Sequence, residues 1–152
     1  MSLDLILFTL ARLFLWPVSI GVVLSFVYAV IVLGMFGMEY LQRRRHPERP
    51  LLLVDRTLSQ DQMELVVLKD LEGVRLCSRV APMLGLIATM IPMGPALVAV
   101  ASGESQGVAQ SLAPAFASVI VALAAASITF VVYTVRRRWL MRELVLILDD
   151  AA

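Results

Sequence analysis

The sequence predicts an all-α membrane protein: three transmembrane helices with a cytoplasmic amphipathic helical extension. Two observations carry that reading. The chain of 152 residues is 60% hydrophobic and only 16% charged, well above the apolar share of an average soluble domain. Its charges are also clustered, leaving uncharged windows at Leu13 to Met38, Val80 to Gly103 and Ser105 to Val135. Each is at least as long as the roughly 20 residues a helix needs to cross a bilayer.

The first segment, 1–41, reads as an N-terminal outside stretch and a retained first span. MSLDLILFTLAR lacks a basic n-region, and the apolar run after it is too long for a signal peptide. Pro17 is expected within the first turns of this helix, where a missing N–H matters little. Of the 13 basic residues, all but Arg12 lie between the first and second spans or after the third. The positive-inside rule therefore puts both clusters, and the C-terminus, in the cytoplasm.

Segment 42–79 opens with QRRRHPERP, a proline-punctuated linker containing His46. Ser59 and Gln62 then form a capping box, followed by Met63, Val66, Val67, Leu71 and Val74 at helical spacing. One long helix rising out of the cytoplasm into the second span is the simplest arrangement. A helix lying on the membrane surface is the alternative. The remaining segments are the second span at 80–103, an outer loop at 104–110, the third span at 111–135 and a cytoplasmic tail at 136–152.

Residues 81–95 of the second span carry Pro82, Pro92, Pro95, Gly85, Gly94 and one hydroxyl, Thr89. Steps of four and three from Ser78 reach Pro82, Gly85, Thr89, Pro92, Ala96 and Ala99, all small or proline. In the third span the same steps reach Ser111, Ala115, Ser118, Ala122, Ala125 and Thr129. Membrane helices associate where small side chains let backbones approach. A repeat near 3.5 predicts left-handed packing at shallow angles. Two readings of these faces stay open: ordinary helix packing, with hydroxyls bonded one turn back, or a solvated lumen that satisfies the carbonyls freed by proline.

The uncharged windows contain no Asp, Glu, Lys, Arg or His, yet membrane proton relays depend on such groups. If protons cross, a second chain must bring the titratable group. No nucleophile and base pair, metal cluster or phosphate loop is present, so neither an enzyme nor a cofactor or metal is expected. The arginine clusters sit at membrane edges, which argues against nucleic-acid binding. Cys77 is alone and reads as an inert thiol.

VAPMLGLIATMIPMGPALVAV, then SLAPAFASVIVAL and a run ending in VRRRW, resemble the MotA/TolQ/ExbB proton-channel family over about residues 78 to 140, most closely its compact ExbB/TolQ-like members. The resemblance implies a ring, a pentamer of this chain in the inner (cytoplasmic) membrane. That ring would surround the single-span helices of an ExbD/TolR/MotB-like partner dimer, which supplies an aspartate. It further implies a proton path past Thr89 and Ser118, with Ser111 and Thr129 on the same face. Val119 stands where a second hydroxyl is expected and Ala122 where relatives often carry glycine. A non-conducting homo-oligomeric scaffold is the competing function.

Overall fold

The computed structural model describes residues 3–45 and 60–149 and consists of three helices: α1 (Leu3–Arg45), α2 (Gln60–Ala101) and α3 (Ser105–Asp149). All three are long and apolar enough to cross a membrane. In lipid every backbone N–H and C=O needs an internal partner, so long apolar stretches become helices. The elements have 43, 42 and 45 residues. At ~1.5 Å per residue each is over 60 Å long, about twice the hydrocarbon thickness. Each helix therefore extends well beyond any bilayer it crosses.

The amphipathic segment and the second span are one uninterrupted helix, α2. The residues that supply its expected capping box begin at Ser59, outside the described residues, as does His46. Elsewhere helix bounds differ from the sequence reading. α1 begins at Leu3, so Pro17 stands in its interior and not in its first turns. Arg12 also falls inside the crossing helix, because the apolar register continues on its N-terminal side. α1 runs on through Arg45. α3 starts at Ser105, so residues 105–110 are helical and the connection is shorter than expected.

That connection has a specific geometry. Gly103 takes φ +76°, a left-handed conformation that a side chain would strain. The Glu104 N–H donates to the Ala99 carbonyl at 2.9 Å and the Gly103 N–H to the Val100 carbonyl at 3.1 Å. This paired closure caps the end of α2 and turns the chain directly into α3.

The tightest pairing is between α2 and α3, with α1 laid against both. At the centre of the bundle Ala29, Ala81 and Ala125 are fully buried. Toward the arginine-rich end, Val32, Val74 and Val132 form the next layer. The large side chains Met83, Leu86 and Met90 of α2, and Phe116, Ile120 and Phe130 of α3, remain exposed. That inversion, small inside and large outside, is what close backbone approach in lipid requires.

An ionic and aromatic clamp joins the helices near the arginine-rich end. Arg136 of α3 bonds Glu39 of α1 at 3.1 Å and Asp70 of α2 at 3.3 Å. Arg43 pairs with Glu143. Trp139 stacks on Phe36 and Tyr40, with the Arg43 guanidinium 4.7 Å from its ring centre.

Candidate functional site

The α2–α3 seam is built on one close contact. A Cβ on Gly85 would stand 2.7 Å from that of Ala122 and 3.3 Å from Val119 Cγ2, so only glycine allows this spacing. Around it, Ala96, Ala115, Ala122 and Ala125 are buried, while Pro82 and Pro92 are half-buried at its margin. The seam is centred one position off the expected stripe. Ala81 and Ala88 share it with Gly85, Ala96 and Ala99, and Thr89 stands half-buried on its edge. Ala81, Gly85 and Ala88 also follow four-and-three spacing, so the sequence held the alternative register.

α1 contacts α2 through Gly21 and Leu84, whose Cδ1 is 3.1 Å from a Cβ built on the glycine. Thr89 lies about 140° round α2 from Leu84 at ~100° per residue. It therefore faces away from α1. Ser118 takes another direction: together with Ser111, it lines a cavity of about 310 Å³ at the loop end, between all three helices. Arg12, Ser19, Pro92 and Pro95 border the same space, and Thr89 does not. Thr129 lies deeper, 0% exposed in the three-helix core. The four hydroxyls thus do not share one cavity within a single chain.

Each hydroxyl donates to its own helix. Thr89 Oγ1 bonds the Leu86 carbonyl at 2.7 Å, Ser118 Oγ that of Pro114 at 2.9 Å, and Ser111 Oγ that of Gly107 at 2.9 Å. Thr129 Oγ1 bonds the carbonyls of Ala125 at 2.8 Å and Ala126 at 3.1 Å. A hydroxyl whose proton is used this way still offers lone pairs. At Thr89 those lone pairs can accept from a protonated carboxyl, favouring its neutral form.

Below the loop-end cavity the interior closes. Between the levels of Ser118 and Thr129 the three helices meet through Val18, Val22, Ala81, Ala122 and Ala125, all buried. The gap is 11 residues of α3, about 16 Å at ~1.5 Å per residue. The fully buried side chains of this layer are all apolar, and the half-buried Ser25 at its margin donates to the Gly21 carbonyl of its own helix at 2.8 Å. Among the described residues none forms a cluster of three or more His, Cys, Asp or Glu able to hold a metal.

Sequence reasoning gave Arg12 no role and passed over Ser19 and the Arg136, Glu39 and Asp70 cluster. The cluster joins three distant segments and leaves no periodic signal.

Residues 37–148 match the model of a protein family described as the MotA/TolQ/ExbB proton channel family. No curated protein and no solved structure matches the chain. The matched stretch holds all of α2, nearly all of α3 and the seam between them, and the chain belongs to the MotA/TolQ/ExbB proton channel family.

Proposed function

We propose that this chain is the ring-forming, proton-conducting subunit of an ion-driven motor of the ExbB/TolQ type, a pentamer around an ExbD/TolR/MotB-like partner dimer. The observation that carries the reading is the dry layer of Val18, Val22, Ala81, Ala122 and Ala125. It closes the chain's own interior to protons. Ion passage is left to a surface that assembly covers, and the α2 edge bearing Thr89 is a small-sided surface of that kind. The arginine-rich ends face the cytoplasm by the positive-inside rule, which puts the N-terminus and the Gly103 turn outside, in the inner membrane.

In this mechanism a carboxylate on the partner helix takes a proton from the outer side. Neutralised, it donates to Thr89 Oγ1, whose own proton is held by the Leu86 carbonyl. Release toward the cytoplasm restores the charge and weakens the partner's hold on that subunit, allowing a step to the next. The membrane potential supplies about 2.3 kcal/mol per charge per 100 mV, enough to bias steps between near-equivalent states. Ser118 and Ser111 border the space above the dry layer, and Thr129 stabilises the packing below it. Output passes through the partner's outer domain, as the ExbB/TolQ-type reading implies.

The test is proton flux in vesicles containing this chain with and without a single-span partner that carries an aspartate in its span. Flux that needs both proteins and is lost in Thr89→Val supports the motor. Stable rings that pass no protons with the partner present would identify a scaffold.

A further inference from the structure

Arg12 is a cation in a crossing helix, exposed on one side and bordering the loop-end cavity on the other. It stands three turns inside α1 and borders the space of about 310 Å³ shared by the three helices. Phe8 of α1 approaches Gly94 of α2, which sets Arg12 near the level of Ile91. That is about 15 Å below the end of α2 at ~1.5 Å per residue. Among the described residues no carboxylate pairs with it. An arginine at such depth is costly unless water or an anion meets it.

The cavity wall supplies matching chemistry. Pro92 and Pro95 remove the N–H groups that would bond the carbonyls of Ala88 and Ile91, and all four residues line this space. Arginine has five donors and no acceptor, whereas a freed carbonyl has no donor. Ser111 and Ser118 have committed their protons to Gly107 and Pro114, so they too offer only lone pairs. A space of this size holds on the order of ten waters at ~30 Å³ each, and its polar groups suffice to order them.

We infer that this cavity is a water-filled pocket open at the loop end, whose one charge, Arg12, gives it a positive potential that favours anionic over cationic solutes. The dry layer beneath makes it a dead end. Its positive charge repels free cations. The inference concerns one chain's interior and stands apart from the ring, the partner and conduction.

Charged thiol reagents test it on the full chain in vesicles, in a Cys77→Ser background. Ser111→Cys and Ser118→Cys are exposed to membrane-impermeant thiosulfonates bearing a sulfonate or a trimethylammonium group, applied from each side. Labelling is expected from one side only, with the anionic reagent favoured at least about tenfold, the order that one charge within ~10 Å produces at a near-surface dielectric. Arg12→Lys should keep that preference and Arg12→Gln abolish it. Absence of labelling by either reagent, as in a dry or lipid-filled cavity, overturns the inference. Equal rates for both reagents, or a preference that survives Arg12→Gln, do so as well.

Discussion

Gly85 and Ala122 meet so closely that a methyl group on the glycine would stand 2.7 Å from the alanine Cβ. Neither group can rotate away, because both are fixed to helix backbones. The distance between α2 and α3 is set here. Gly85→Ala should force the helices apart and cost about 1–3 kcal/mol, the usual range for overpacking. Ala122→Phe should cost more and disrupt the seam. Denaturant-dependent dissociation and thermal melting would measure both. Gly73→Ala is the control: its added methyl would meet only the Tyr28 hydroxyl, at the end of a side chain free to move, so that variant should remain near wild type.

Thr89 separates a hydroxyl effect from a shape effect. Thr89→Val preserves the branched side chain but offers no lone pair, and should abolish proton-dependent work with assembly intact. Thr89→Ser should retain a large part of the flux. Dye-monitored acidification of vesicles, beside the mass of the purified complex, checks both. Unchanged flux in Thr89→Val would remove this residue from the path.

Thr129 makes the opposite prediction from the same chemistry. It is fully buried and its hydroxyl bonds carbonyls of its own helix. Those carbonyls already accept the helical N–H bonds, so Thr129→Val strands no group and should alter stability by less than about 1 kcal/mol. Flux should be unaffected. A selective loss of flux with normal melting would assign this hydroxyl to the conducting route.

Arg136 ties all three helices through Glu39 and Asp70. Arg136 and Glu39 are half-buried, with side chains 22% and 24% exposed, whereas Asp70 is exposed, so the Glu39 pair carries most of the effect. Arg136→Ala should cost about 1–3 kcal/mol, and Arg136→Lys, with one point charge for two partners, should recover only part of it. The loss should appear first as faster amide exchange at the arginine-rich ends of α1 and α3. Uniform loss of protection along the bundle would contradict that local role.

The architecture was legible because lipid makes simple demands. Windows without charge marked the crossings, and small residues at four-and-three spacing marked the seam around Gly85, Ala96, Ala122 and Ala125. Helix bounds were less legible, since charged residues do not end a helix that extends beyond the bilayer: α3 takes in residues 105–110, and α1 takes in both Arg12 and Arg45. Facing directions were harder still. Moving one residue along α2 turns a side chain about 100°, which decides whether Ala88 or Thr89 occupies the seam. Ser118 and Val119 differ in the same way, and only the placement of α1 shows which of them meets the cavity. Arg12 stood out in the sequence only as the one basic residue outside the two clusters, and its place beside a cavity needed the packing of all three helices.

The left-handed Gly103 also bears on biogenesis. A reversal this short leaves no slack for α2 and α3 to enter the bilayer at separate times, so the two are expected to leave the insertion machinery as a preformed hairpin. A side chain at position 103 should therefore lower yield at the moment of insertion, before any assembled complex exists to be tested.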